Sequence, residues 1–263
     1  MSEPRIRFDD GAAYERMMGT WSRIAGADFL AWLAPPPNRR WLDVGCGNGA
    51  FTELVTERCA PSGIDGIDPS EGQLAYARTR PAAKVARFHR GDAMALPFDD
   101  GGFDIVVSAL VIHFIPDPAK GMAEMVRVAV PGGTVAAYTW DMPGGGFPLD
   151  GMQQEMRALG AALPRPPSDA ASRGDALRDL WRRAGLDSVE QREIVVHRTF
   201  DGFDDFWATS RKASIVASAL AAMPPGDVAA LEARMRERMP ADARGRITCS
   251  ARANAIRGRV PDR

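Results

Sequence analysis

Residues 41–50 constrain the fold of this chain more than any other segment. They read WLDVGCGNGA, an apolar run that enters a glycine-rich turn and continues into a stretch with helical patterning. Glycine tolerates positive φ and lets the backbone approach a ligand closely, while a helix N-terminus presents N–H groups to a negative group. We therefore expect a strand, a tight turn and a helix that together form part of a binding site.

Short apolar runs alternate with helical stretches from Arg40 onward, which is typical of parallel strands joined by crossover helices. Strands are predicted at 41–44, 63–67, 85–88, 104–108 and 134–139, and helices at 50–59, 70–79 and 118–129. Two later extended runs, 189–200 and 246–260, flank a helical stretch at 201–239. We expect these two runs to form a hairpin-like sheet edge that carries a helical lid.

The N-terminal part of the chain has apolar residues at helical spacing over 11–33, ending at the proline run 35–37 that stops a helix. We treat residues 1–263 as one domain. Within it we expect an N-terminal helical cap at 1–37, a cofactor-binding core at 40–140, and the rest of the sheet at 141–263, with the lid around 201–240.

Carboxylates follow the first three predicted strands at matching places. Asp43 suits a cationic amino group, Asp68 can accept hydrogen bonds from ribose hydroxyls, and Asp92 can accept one from an adenine amino group. Together they describe an adenosine with an amino acid tail. The glycine turn alone leaves an alternative open, because Gly45, Gly47 and Ala50 also fit the G-x-G-x-x-G/A fingerprint of dinucleotide-dependent oxidoreductases.

The amino-acid composition limits the classes of partner that we expect. The chain has 33 basic and 34 acidic residues, so bulk charge gives no reason to expect nucleic acid or an anionic membrane. Its three cysteines are too few and too scattered for a disulfide framework, which favours reduced thiols and a cytoplasmic location. No stretch approaches the roughly 18 apolar residues of a membrane span. Both a monomer and a homodimer remain open.

Five motifs, LDVGCGNG, GIDPSEGQLAYAR, GDAMALPF, FDIVVSALVIHF and EMVRVAVPGG, run in this order from about residue 40 to 140. In these motifs the chain resembles the class I S-adenosylmethionine-dependent methyltransferase superfamily, in particular its ubiquinone/menaquinone-biosynthesis-type branch. The resemblance implies a Rossmann-like, doubly wound, mostly parallel seven-stranded sheet with an N-terminal helical segment and a helical insertion near the C-terminus. It also implies S-adenosylmethionine as the cofactor and S-adenosylhomocysteine as its product.

The resemblance further implies which residues contact the cofactor. The methionine part is expected near Asp43, Gly45 and Gly47, and the sulfonium above Ser108. The N-terminal Tyr14 and Trp21 resemble residues that cover the cofactor in many members, although their helical spacing also suits a core. The full predicted set is Tyr14, Trp21, Asp43, Gly45, Cys46, Gly47, Asp68, Pro69, Gln73, Asp92, Ala93 and Ser108.

The methyl acceptor is less constrained. His113 follows the fourth strand, where a histidine suits a general base at neutral pH or only shapes the pocket. Residues 108–111 read SALV in place of the Asn/Asp-Pro-Pro-aromatic motif of enzymes that methylate adenine or glutamine amides. We therefore expect a small-molecule acceptor, methylated on oxygen, nitrogen or carbon without a metal. A non-catalytic cofactor-binding or regulatory protein stays open as an alternative.

Asp65 and His89 fall outside these assignments. Asp65 places a carboxylate inside the second predicted strand, where the family usually has an apolar residue, so we expect this strand to end early or to face solvent there. His89 has no partner that the sequence reveals.

Overall fold

The computed structural model describes residues 18–262. Its strands are β1 (Arg40–Val44), β2 (Gly63–Asp68), β3 (Ala86–Arg90), β4 (Phe103–Ala109), β5 (Ala129–Trp140), β6 (Asp187–Phe200) and β7 (Ile247–Arg259). They form one seven-stranded sheet in the order β3-β2-β1-β4-β5-β7-β6. β7 runs antiparallel to β5 and β6, and the other neighbouring strands pair in parallel. The predicted mostly parallel seven-stranded sheet is confirmed.

Helices cover both faces of this sheet. They are α1 (Thr20–Leu33), α2 (Ala50–Cys59), α3 (Glu71–Ala77), α4 (Pro118–Val128), α5 (Asp150–Ala158), α6 (Gly174–Arg183), α7 (Phe203–Ser210), α8 (Ser214–Ala222) and α9 (Pro225–Arg238). One apolar core contains side chains from α1, α2, α5, α7 and α9, and a second contains side chains from α4 and α6. The fold is thus doubly wound.

The predicted elements lie close to the observed ones. The helical insertion is confirmed as α7, α8 and α9 between β6 and β7. β2 does not end early at Asp65 but continues to Asp68. β5 is longer than the predicted 134–139 strand because it includes a prolyl-glycyl irregularity at 131–133, where its register with β4 shifts. Within residues 18–262, no helix has the length and apolar character needed to cross a membrane.

The strand order reverses between the neighbouring strands β1 and β4. After β1 the chain continues to β2 and β3 toward one edge of the sheet, and after β4 it continues to β5 toward the other edge. In open parallel sheets such a reversal leaves a crevice at the carboxyl ends of the strands, where ligands bind. The predicted site residues at the ends of β1, β2, β3 and β4 are therefore brought to one edge of the sheet.

Helix α1 closes one side of this crevice and packs closely on α2 and β5. A Cβ atom on Gly26 would lie 2.9 Å from Leu54 Cδ2 and 3.0 Å from the Tyr138 hydroxyl oxygen. The Phe29 ring lies 4.8 Å from the Tyr138 ring, centroid to centroid. The absence of a side chain at Gly26 thus allows α1 to approach these buried neighbours.

We expect Gly26→Ala to lower the free energy of unfolding by about 1–3 kcal/mol, because the added methyl group overpacks a buried contact. Gly226→Ala is the matched control: Gly226 is also helical, and its Cβ would meet nothing within 4 Å in the described part of the chain. Alanine should stabilise that helix by up to about 1 kcal/mol. Denaturant unfolding measures both variants, and equal stabilisation by the two would contradict the close approach of α1.

Candidate functional site

A cavity of about 650 Å³ opens at the carboxyl ends of β1, β2, β3 and β4. Nine of the predicted cofactor residues line it: Asp43, Gly45, Cys46, Gly47, Asp68, Pro69, Gln73, Asp92 and Ala93. The structure thus brings together three separate sequence motifs that are up to 50 residues apart in the chain. The helix α1 contributes Ser22 to the same cavity.

The glycine turn between β1 and α2 is fastened to β2 by backbone hydrogen bonds. Gly45 N and Cys46 N both donate to Ile67 O, at 2.8 and 3.0 Å. Gly45, Gly47 and Gly49 have φ angles of +79°, +52° and +79°, a region that other residues rarely adopt. The turn is therefore held in a single conformation that only glycine adopts without strain.

Gly45 and Gly47 serve different purposes in this turn. A Cβ on Gly45 would lie 2.5 Å from Val111 Cγ1, so Gly45 allows the loop after β4 to pack against the turn. Among the described residues, a Cβ on Gly47 would meet only Gln73 Oε1, at 3.9 Å, and Gly47 itself lines the cavity. Gly45 thus supports packing, whereas Gly47 leaves space for a ligand.

Asp43 lies at the end of β1 and is 1% exposed. Its Oδ2 accepts a hydrogen bond of 2.7 Å from Thr52 Oγ1, and its Oδ1 has no partner in the part of the chain that the structure describes. Burial raises the pKa of the Asp43 carboxyl from 3.8 to about 7, against the effect of the Thr52 hydrogen bond. Asp43 is therefore a buried acceptor that a cationic ligand group would stabilise in its charged form.

Asp68 at the end of β2 is hydrogen-bonded both to the glycine turn and to the loop that follows β2. Its Oδ2 accepts from Gly47 N at 3.0 Å, and its Oδ1 accepts from Ser70 N at 2.9 Å. Burial raises the pKa of Asp68, while these two backbone hydrogen bonds lower it. A carboxylate has about four acceptor positions, so Asp68 can also accept hydrogen bonds from a ligand.

The loop after β3 forms the third part of the site. Gly91 N donates to Asp68 O at 3.2 Å, and a Cβ on Gly91 would lie 2.6 Å from Ile67 Cδ1. Asp92 Oδ1 accepts a hydrogen bond of 2.8 Å from Met94 N, which shapes the loop into a turn. Gly91, Asp92, Ala93 and Met94 all line the cavity.

The polar lining of the cavity is acidic. It includes the carboxylates of Asp43, Asp68 and Asp92, and none of the described lining residues is lysine, arginine or histidine. Gln73 adds a buried Oε1 atom without a partner among the described residues. A dinucleotide pyrophosphate would face three carboxylates without a compensating cation, so the charge favours a cationic ligand over the oxidoreductase alternative.

The cavity also has an apolar wall, whose members the sequence did not identify as a group. It consists of Phe51, Ala109, Leu110, Val111, Phe114, Ile115, Pro116 and Tyr138. Most of these residues follow β4 in a loop without charged side chains in the wall, and Tyr138 belongs to a buried strand. The motif FDIVVSALVIHF and the position of the loop after a predicted central strand were the available signals.

Three predicted residues are not among the described lining residues. Trp21, a residue of α1, is buried in the first apolar core, and Ser108 is buried near the end of β4, where its Oγ has no partner among the described residues. His113 is 2% exposed and shares a hydrogen bond of 2.6 Å between its Nδ1 and Thr139 Oγ1. Burial lowers the pKa of His113 to about 3, so its imidazole is neutral and weakly basic at neutral pH.

Two further assignments concern the cap and the lid. Tyr14 lies outside the described residues. Residues 201–240, the predicted lid, contribute none of the described lining residues; Arg234 and Arg238 of this insertion pair instead with Glu155 on α5. A covering role for this segment stays a prediction.

His89 does have a partner. Its Nε2 lies 2.6 Å from Asp65 Oδ1 on the neighbouring strand, and its ring packs edge-on against Phe98. The unusual carboxylate inside β2 is therefore half-buried and paired, and neither residue lines the described part of the cavity.

Comparison with known proteins agrees with this geometry. Residues 42–137 match the family described as the methyltransferase domain. A demethylmenaquinone methyltransferase of Clavibacter sepedonicus is 30% identical over 177 residues, which cover 62% of this chain and 71% of that protein. The chain belongs to the class I S-adenosylmethionine-dependent methyltransferase family, in its ubiquinone/menaquinone-biosynthesis-type branch.

Two other comparisons extend this family assignment. A demethylmenaquinone methyltransferase of Deinococcus radiodurans is 38% identical over 129 residues, 48% of this chain and 52% of that protein. The chain spans about half the length of several of the curated relatives it matches. The solved structure of the YcgJ protein of Bacillus subtilis has a TM-score of 0.62 at 18% identity, covering 91% of this chain and 99% of that one, and shows the shared fold.

The raised pKa of Asp43 predicts how the stability of the ligand-free protein depends on pH. Because its pKa is raised from 3.8 to about 7, the native state binds more protons than the unfolded state between these values. The free energy of unfolding should therefore fall as the pH rises from about 4 to 7. Asp43→Asn keeps an acceptor for Thr52 and should remove that part of the fall.

Denaturant unfolding at several pH values tests this expectation. Thr52→Val removes the hydrogen bond that lowers the Asp43 pKa, so in that variant the fall should begin at the same pH and extend to higher pH. Identical pH profiles for wild type and Asp43→Asn would show that Asp43 does not titrate in this window.

Proposed function

We propose that this chain transfers a methyl group from S-adenosylmethionine to an oxygen, nitrogen or carbon atom of a small, partly apolar molecule. One observation carries the proposal. Asp43 Oδ1 and Gln73 Oε1 are buried acceptors without donors among the described residues, in a cavity whose described charged side chains are all carboxylates. Buried polar atoms are nearly always satisfied, and a ligand with a cationic amino group supplies the missing donors.

The residues present fit this cofactor at three places. Asp43 and Gln73 would hold the amino group of the methionine part, and Gly47 leaves room beside them. Asp68 would accept from the ribose hydroxyls, and Asp92 from the adenine amino group. When bound, S-adenosylmethionine supplies a methyl group on a positively charged sulfonium. Cys46, Pro69 and Ala93 would complete the contacts, with Ser108 and the N-terminal Tyr14 and Trp21 nearby.

The apolar wall supports a partly apolar acceptor. Phe51, Leu110, Phe114 and Tyr138 can exclude water and pack against a hydrophobic ring or chain. Several relatives, among them those of Deinococcus radiodurans and Clavibacter sepedonicus, carry the name demethylmenaquinone methyltransferase. In-line placement of acceptor and methyl group in such a dry pocket supplies much of the acceleration, so no strong base is required.

Binding tests the cofactor assignment. We expect Asp68→Ala to weaken binding of S-adenosylhomocysteine by about tenfold to a hundredfold, since hydrogen bonds to a charged acceptor are worth about 1.5–3 kcal/mol. The control is Asp65→Ala, which removes a carboxylate from the same strand that pairs with His89 outside the described lining. Calorimetry should show unchanged affinity for the control. Equal losses in both variants would remove Asp68 from the proposed site.

Turnover tests the enzymatic assignment. Labelled S-adenosylmethionine is incubated with the wild-type protein and a panel of small acceptors, including quinols, phenols and amines. We expect label transfer to at least one apolar member and none with Gly47→Val, whose branched side chain fills the cavity and resists positive φ. Tight binding without transfer to any acceptor would instead support the non-catalytic alternative.

A further inference from the structure

The motif EMVRVAVPGG contributes Glu124 and Arg127 to α4, and neither residue is among the described lining of the cavity. Their side chains contact the backbone of the loop that joins β3 to β4. Glu124 Oε2 accepts from Leu96 N at 2.7 Å, and Arg127 Nη2 donates to Leu96 O at 2.9 Å. The pair therefore binds both polar backbone groups of one residue.

Arg127 also donates hydrogen bonds to two later residues of the same loop. Its Nη1 donates to Phe98 O and to Asp100 Oδ1, both at 2.8 Å. Its Nε and Nη2 donate to the two carboxylate oxygens of Glu124, each at 2.8 Å. A planar guanidinium makes such a fixed fork of bonds, whereas a lysine ammonium cannot.

The two charges support each other. The hydrogen bond from Arg127 lowers the pKa of Glu124, and the hydrogen bond from Glu124 raises the pKa of Arg127. Both groups therefore stay ionised around neutral pH, and their hydrogen bonds to the loop do not change with pH in that range.

Residues 92–96 connect these contacts to the cavity, and two hydrogen bonds lie within this segment. Ala95 N donates to Asp92 O at 3.0 Å, and Met94 N donates to the Asp92 carboxylate at 2.8 Å. Leu96 follows directly and is buried. The position of Leu96 therefore limits where the Asp92 carboxylate can lie.

We propose that Glu124 and Arg127 are positioning residues that hold Asp92 at the adenine side of the cavity and thereby set the preference of the site for adenine. The proposal rests on the proposed function, in which Asp92 accepts from the adenine amino group. A carboxylate on a fixed loop discriminates an amino group from a carbonyl, because the carbonyl offers it no donor. A carboxylate on a loosened loop moves away and loses that discrimination.

The test uses Arg127→Lys and compares binding of S-adenosylhomocysteine with binding of S-inosylhomocysteine, which has a carbonyl in place of the adenine amino group. We expect the wild type to prefer the adenine compound by about tenfold to a hundredfold. Arg127→Lys should reduce this ratio to about threefold or less. Glu124→Gln keeps an acceptor for Leu96 N and should retain more of the ratio than Glu124→Ala.

Arg257→Lys is the matched control. Arg257 is 30% exposed against 31% for Arg127, pairs with Glu190, and donates to the backbone oxygen Leu33 O. It lies on β7, away from the loop after β3. Its substitution should lower the melting temperature comparably and leave the ratio of the two affinities unchanged.

Hydrogen exchange of the ligand-free protein provides an independent measurement. Arg127→Lys should speed exchange of the Leu96 amide and its neighbours in the loop, and Arg257→Lys should not. Unchanged loop exchange overturns the proposal, and so does faster exchange with an unchanged affinity ratio. A wild type that binds neither compound overturns the proposed function itself, and the adenine role of the pair with it.

Discussion

The glycine turn depends on hydrogen bonds from its backbone to the end of β2. Ile67 O accepts from Gly45 N and Cys46 N, and the Asp68 carboxylate accepts from Gly47 N. These bonds satisfy donors that a strand-to-helix turn otherwise leaves exposed, and they fix the turn in its positive-φ conformation. The packing of the turn on β2 also requires a glycine. A Cβ on Gly66 would lie 2.9 Å from Cys46 Sγ, so β2 has no side chain where the turn crosses it.

The end of β1 carries a buried carboxyl group next to this turn. Asp43 has one oxygen bonded to Thr52 and one without a partner among the described residues. Burying such a group lowers stability, and folds retain unsatisfied polar atoms mainly where a ligand completes them. The site thus shows a local conflict with stability that the proposed cofactor relieves, since its amino group brings both a charge and hydrogen-bond donors.

Two arginine residues fix separate segments of the fold, and of these two Arg127 contacts the loop that carries Asp92. Arg127 holds the loop after β3, and Arg257 holds the end of α1 by donating to Leu33 O and lying over the Trp32 ring. Each combines a backbone carbonyl with a glutamate partner at about 2.8 Å. Rigid connections of this kind let loops that carry recognition groups keep a defined position relative to the sheet.

The amino-acid sequence by itself determined the order and kind of the elements, because hydrophobic periodicity and the glycine turn act locally. It also located Asp43, Asp68 and Asp92, since parallel strands bring their carboxyl ends to one edge of the sheet. It did not reveal the apolar wall, the pairing of His89 with Asp65, or the buried state of His113. Only the tertiary structure decided these, because burial, and contacts between residues such as Glu124 and Leu96, arise from packing that no local pattern encodes.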